Sequence, residues 1–277
     1  MAVATASRQR RITSRSVWIR VRRILGGVLF VGFLVGVWQL VVSLGHMKSY
    51  LLPGPAGVWN AFVDNITFLW KACVVTLVEA MAGFGISIVV GVAIAVVIVY
   101  SAFLRRMILP SLVALNATPK VAVAPILILW LGLGTNSKIG MSFLLSFFPI
   151  VINAARGLAD VDPDLLDYFR LIRANPLQTF VKVRLPNSLP AMFDGFKIAL
   201  PIAIVGAVIG EFVASTGGIG YQIIIAYSTL NTELVFAAVI FIAVVSTVLF
   251  ELLVALEHVL LRWRPSEQRQ EQRQAVA

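Results

Sequence analysis

The chain has 277 residues, 59% of them apolar and 13% charged, with a mean hydropathy of +0.92. A soluble domain carries about 25% charged residues, so this balance excludes a water-soluble core and predicts a chain that lives in a bilayer. One cysteine (Cys73) and two histidines (His46, His258) exclude a disulfide framework and argue against a Cys/His metal site.

Residues 1–23 carry Arg8, Arg10, Arg11, Arg15, Arg20, Arg22 and Arg23 and no acid. A nucleic-acid arm would look like this, but an apolar run follows at once, which favours a topogenic tail facing lipid. Arg22-Arg23 has a superficial likeness to a twin-arginine signal. The run 24–44 is too long for a signal core and long enough to cross a membrane, so it is the first predicted span. After the turn Leu51-Leu52-Pro53-Gly54-Pro55, the residues Val58, Trp59, Phe62, Val63 and Ile66 recur at helical spacing. They predict an amphipathic helix lying in the interface, with Trp59 and Trp70 as anchors. Spans follow at 76–100, 108–131 and 139–158, each near the length that crosses the hydrocarbon core. The third is interrupted by Pro119 and Pro125 with Lys120 between them. Two readings stand: a kinked helix lining a pathway, or a packing kink with a snorkelling lysine.

Residues 160–190 form the longest polar interruption. Asp162 is a good N-cap, Pro163 suits the first helical position, and Asp164 and Asp167 favour the positive end of the helix dipole. Leu165, Leu166, Phe169 and Ile172 make an apolar stripe, and Pro176 ends the helix near Ala174. A second short helix is predicted from about 177 to 183, stopped by Leu185-Pro186 and Leu189-Pro190. Two short helices between hydrophobic segments suit a docking surface for another protein.

The fifth span, 191–213, carries Asp194 and Lys197 on one helix face, where they can pair. Its small residues (Gly195, Ala199, Ala203, Gly206, Gly210) predict close helix packing within the subunit or across a dimer. Glu211 precedes Ser215-Thr-Gly-Gly-Ile-Gly-Tyr221. It reads as an interfacial carboxylate capped by the glycine turn, or as a gate or partner contact. The sixth span, 234–260, leads into a polar tail at 264–277. The fold class is therefore all-α, polytopic, with about six spans over 24–263 between two polar tails.

Lysines and arginines fall mainly on one side. The N-terminal tail, Arg105 and Arg106, the 160–190 loop region and the C-terminal tail are basic, against Lys48, Lys71 and Lys138 on the other side. The positive-inside rule places both termini and the 160–190 loop in the cytoplasm. The net charge of +10 then faces anionic lipid and needs no nucleic-acid partner. No G-x-x-x-x-G-K-[ST] is present, so the chain does not bind ATP through a P-loop. No Ser/His/Asp set or paired-carboxylate site stands out, so no enzyme is predicted.

Three classes remain: a subunit driven by a separate partner, an ion-coupled secondary transporter using Glu79, Asp194 or Glu211, and a scaffold. The acids stand toward span ends, which counts against the second. Residues 160–190 resemble the cytoplasmic "EAA" loop of permease subunits of bacterial ABC importers. Asp167-Tyr168-Phe169 stand at the E-A-A positions, Arg173-Ala174 at G-A and Leu185-Pro186 at L-P, with Tyr-Phe for Ala-Ala and Arg173 for glycine as departures. Leu52-Pro53-Gly-Pro, Thr118-Pro-Lys-Val-Ala-Val-Ala-Pro-Ile-Leu-Ile-Leu-Trp-Leu-Gly-Leu-Gly134, Ser137-Lys-Ile139 and Gly210-Glu-Phe-Val-Ala-Ser-Thr-Gly-Gly-Ile-Gly-Tyr221 are similar to the nitrate/sulfonate/taurine branch.

The resemblance implies an inner-membrane importer in which two permeases pair, bind separate ATP-binding subunits and receive solute from a periplasmic solute-binding protein. No cofactor is implied on this chain. It also implies a coupling helix over 163–174. Leu165, Leu166, Tyr168 and Phe169 would anchor it in the ATPase, Asp164, Asp167, Arg170 and Arg173 would form the polar part, and Ala174 its end. Pro119, Lys120, Pro125 and Glu211 are the pathway candidates. The implied solutes are sulfonates, taurine, nitrate, bicarbonate, or small heterocycles such as pyrimidines.

Overall fold

The computed structural model describes Gly26 and residues 29–45, 48–116 and 118–262, and within them every regular element is helical. The basic tail, His46, Ala117 and the tail predicted at 264–277 lie outside the described residues. The helices are α1 (Leu29–Leu44), α2 (Pro55–Tyr100), α3 (Ala102–Asn116), α4 (Ala124–Leu131), α5 (Thr135–Ala159), α6 (Pro163–Leu171), α7 (Pro176–Thr179), α8 (Leu185–Ala214), α9 (Ile219–Ser228) and α10 (Thr232–Leu260). Among the described residues, four continuous helices are long and apolar enough to cross a membrane: Pro55–Tyr100, Thr135–Ala159, Pro176–Val213 and Thr232–Leu260. A bent pair, Phe103–Asn116 with Lys120–Leu131, makes a fifth if it is one broken span. The described part of the predicted first span is the shorter apolar helix α1.

Three connections between predicted elements run differently in the structure. The predicted interfacial helix and the second span are one helix of 46 residues. No proline or glycine separates Gly57 from Gly83, so nothing breaks the ladder where Asp64 and Lys71 lower the hydropathy. Val58 is buried against α10, and the Phe62 ring centre lies 5.6 Å from that of Phe241, tilted at 53°, while Trp59 and Trp70 remain exposed.

The predicted third span is broken. Its halves lie at 90° to each other, with a 3₁₀ turn at Lys120–Val123 between Pro119 and α4. Pro125 falls in the first turn of α4, where its missing N–H costs no hydrogen bond.

The second short helix does not stop at Leu185-Pro186. A π turn at Phe180–Arg184 carries α7 directly into α8. Leu185 N–H reaches Phe180 O, five residues back. The wider turn accommodates Pro186, which has no N–H to give and whose ring would crowd a regular turn.

α5 makes its most extensive contacts with α8 and, after that, with α2. The α5–α8 pairing is antiparallel and built on small residues. A Cβ on Gly157 would meet Ala191, one on Gly195 would meet Asn153, one on Gly206 would meet Ser142, and one on Gly210 would meet Lys138. The predicted small-residue row therefore packs within the subunit, with Ala199, Ala203 and Ala207 fully buried. Hydroxyls join α2 to α5: Ser142 Oγ donates to Ala80 O (3.1 Å), and Ser87 Oγ to Phe143 O (3.0 Å). Lys197 pairs with Asp194 (2.7 Å), as the spacing predicts, and also reaches Glu257 on α10 (3.1 Å).

The seam predicts a contrast between two glycines. A Cβ at Gly206 would lie 2.8 Å from Ser142 Cα and 2.9 Å from Met141 O, whereas one at Gly85 meets nothing within 4 Å. Gly206→Ala should destabilise the detergent-solubilised protein by about 1–3 kcal/mol through overpacking. Gly85→Ala should be neutral or stabilising by about 0.5–1 kcal/mol. Thermal unfolding of the two variants checks this.

Candidate functional site

α6 sits on the connection between α5 and α8. Its first turn is fixed locally: Asp162 Oδ1 accepts from Asp164 N–H (2.9 Å), and Pro163 occupies the start. Asp167 and Arg170 pair at 2.6 Å on the exposed surface. The helix ends at Leu171, slightly before the predicted stop. Arg173 has φ +56°, the left-handed conformation that glycine adopts freely and other residues adopt at a cost of about 1–2 kcal/mol. Its N–H donates to Arg170 O, and Ala174 N–H donates to Phe169 O, both 3.0 Å. These are the two bonds of a Schellman turn. The position where the resembled loop has glycine is thus the one where the backbone asks for it.

The apolar stripe divides between two sides of α6. Leu166 and Phe169 are half-buried toward the body, whereas Leu165, Tyr168, Leu171 and Ile172 are exposed. The loop is tied down behind them. Arg184 Nη1 donates to Leu158 O (2.7 Å), Asn187 Nδ2 donates to Asp160 O, and Tyr100 Oη donates to Pro176 O (3.4 Å). Asn175 and Gln178 form a reciprocal capping box at the start of α7.

A second cluster lies at the far end of α5 and α8. Glu211 is 1% exposed, buried rather than interfacial. Its Oε1 accepts from Thr76 Oγ1 (2.7 Å) and its Oε2 from Gly220 N–H (2.6 Å), while Thr76 Oγ1 also accepts from Ile219 N–H (2.8 Å). The carboxylate thus meets the N-terminus of α9, where free N–H groups and the dipole favour an anion. Gly218 has φ +95°, and a Cβ there would overlap the carboxylate. The glycine turn caps the carboxylate, as one of the two readings expects, but the carboxylate is buried and not interfacial.

Sequence reasoning missed the neighbouring ion pair. Lys138 Nζ stands 2.6 Å from Glu79 Oε1, with both side chains buried, and donates to Ser215 Oγ at 3.0 Å. The sequence alone puts Lys138 on the outer side, just before the span at 139–158, and Glu79 toward a span end. Instead Glu79 lies in the interior of α2 and Lys138 in the first turn of α5. The available signal was an ionisable residue inside an apolar run, which requires a partner.

The other pathway candidates gather elsewhere. Lys120 Nζ donates to Asn116 O (2.7 Å) and Oδ1 (2.9 Å) and lies 4.9 Å from the centre of the Phe148 ring. Its contacts do not overlap those of Glu211, so Pro119, Lys120 and Pro125 form one group at the break and Glu211 belongs to another.

Residues 87–261 match the profile of the binding-protein-dependent transport system inner membrane component family. The chain belongs to this family. An ABC transporter permease protein of Haemophilus influenzae is 36% identical over 82% of this chain and 93% of its own length. The riboflavin transport system permease of Chloroflexus aurantiacus is 34% identical over 83% and 86%. The formylaminopyrimidine transport permease of Halalkalibacterium halodurans is 29% identical over 86% and 96%. In fold, the chain is similar to the inward-facing MetNI methionine ABC transporter, with a TM-score of 0.55 at 20% identity over 71% of this chain and 94% of that one.

As a member of this family the chain is an ABC importer permease, the membrane channel component. Its partners are an ABC ATPase, which carries out ATP hydrolysis on a separate subunit, and a substrate-binding protein. The ion-coupled alternative finds no support.

The buried pair predicts a non-additive response in this permease. Glu79→Gln or Lys138→Met alone leaves one buried charge without its partner and should cost about 3–5 kcal/mol. The double variant should recover most of that loss. Thermal unfolding of the three variants, arranged as a double-mutant cycle, measures the coupling.

Proposed function

We propose that α6 is the coupling helix, which seats on the ATP-binding subunit. The observation that carries this is the unpartnered apolar face of a capped, anchored helix. Leu165, Tyr168, Leu171 and Ile172 form its contact surface, in keeping with helix-in-groove recognition. Asp164, Asp167, Arg170 and Arg173 form the polar rim. Leu166, Phe169 and Ala174 hold the helix and its turn against the body.

In this reading, ATP-driven movement of the paired ATPases displaces α6, and α5 and α8 carry the motion across the membrane. Two copies of the chain form the pathway, with both termini and α6 in the cytoplasm, as the lysine and arginine distribution supports. The substrate is a small solute delivered by the binding protein: a sulfonate, taurine- or nitrate-like anion, or a small heterocycle such as a pyrimidine. Relatives named for riboflavin, formylaminopyrimidine, aliphatic sulfonates and taurine support that range. Pro119, Lys120, Pro125 and Glu211 are the proposed pathway positions.

Capture of the ATP-binding subunit by the detergent-solubilised permease tests the coupling reading. Leu165→Asp with Tyr168→Asp should insert normally and lower capture about tenfold or more, as expected when hot-spot anchors are removed. Full capture by that variant would refute the assignment of α6.

A further inference from the structure

The flank of α6 that carries Asp167 and Arg170 adjoins two further arginines that coupling does not use. Pro163, Leu166, Asp167 and Arg170 recur at helical spacing and line a cavity of about 350 Å³. The ends of α2 and α5 close it, with Arg105 of α3 and Arg184 of the π turn contributing guanidinium groups. Asp167 neutralises Arg170. Arg184 gives one N–H to Leu158 O and keeps its remaining donors. Arg105 has no side-chain ion pair or hydrogen bond among the described residues.

We propose that this cavity binds the phosphate of an anionic phospholipid, held by Arg105 and Arg184 between α3 and the α6 loop. Planar guanidinium forks match the geometry of phosphate oxygens. The cavity's place at the ends of two membrane-length helices selects lipid over a protein acid. At about 3.6 residues per turn, Pro163, Leu166 and Arg170 lie opposite Leu165, Tyr168 and Ile172, while Asp167 stands beside Leu171 at the edge of the face assigned to the ATPase. Val99 and Ala159 of the lining stand at the ends of the membrane-length helices α2 and α5, which sets the cavity at the level of the bilayer edge. Tyr100, whose ring centre lies 5.8 Å from the Arg184 guanidinium carbon, supplies an aromatic of the kind found at headgroup depth. The inference rests on the coupling reading and its cytoplasmic placement, where basic pockets between helices meet anionic headgroups. A lipid there bridges α3 and α6, so the leaflet's charge sets how firmly the coupling helix is held.

Native mass spectrometry of the permease–ATPase complex, with phosphatidylglycerol or phosphatidylcholine added, tests this. Wild type should retain phosphatidylglycerol in preference. Arg105→Gln, at an exposed and unpaired position, should weaken that retention about fivefold, the equivalent of about 1 kcal/mol for one cation at the membrane surface. Arg105→Lys should keep most of it, and ATPase capture should be unchanged in both. Equal phosphatidylglycerol retention by wild type and Arg105→Gln would overturn the site. Displacement of the lipid by inorganic phosphate would reassign it to a soluble anion and overturn the lipid. Loss of the ATPase from Arg105→Gln would place the arginine in the subunit interface and overturn the proposal. Failure of α6 to bind the ATPase would appear separately, as loss of capture in wild type.

Discussion

The architecture depends on how closely α5 approaches α8. In lipid, apolar side chains gain little by leaving the solvent, so helices associate through close backbone contact and interhelical polar bonds. Gly157, Gly195, Gly206 and Gly210 supply that contact along the seam, each where a Cβ would press on the partner helix. Between Gly157 and Lys138 the seam runs about 30 Å at the helical rise. Serine hydroxyls fasten α2 to the other side of α5. The three helices form a stiff unit, with the α6 loop at one end and a buried polar cluster at the other.

That far cluster holds two carboxylates and one ammonium. Charges in such a place persist only when paired or hydrogen-bonded. Glu79 is held by Lys138, and Glu211 by Thr76 and the Gly220 N–H of α9. The cluster joins α2, α5, α8 and α9 at one junction. A displacement of α6 would therefore reach the far end through α5 and α8 and load the bonds that hold α9 in place.

Much of this was legible in the sequence because it is local. Asp162-Pro163 marks the start of α6, the Asp194–Lys197 spacing yields the observed pair, and the apolar runs locate the membrane-length helices. What escaped depends on partners distant in sequence or on a balance between local signals. Hydropathy starts the second span only at residue 76, after Lys71, although no residue there breaks a helix. Pro186 and Pro190 read as stops because a π turn, which accommodates Pro186, leaves no compositional mark. Glu79 and Lys138 each look like edge residues until the fold brings them together. Arg173 looked like a departure from the glycine of the resembled loop, and the backbone explains why glycine suits that position: φ is positive there.

Cys73 offers a direct test of transmission. It is the chain's one cysteine, fully buried beside Leu69, Ile219, Ala237 and Ala238 near the far-end junction. The decisive measurement is its rate of modification by a maleimide in the permease–ATPase complex, without nucleotide and after vanadate trapping with ATP. The account predicts slow labelling without nucleotide and faster labelling in the trapped state, as the junction around α9 opens. Equal rates in the two states would contradict the claim that motion at α6 reaches the far side of the membrane.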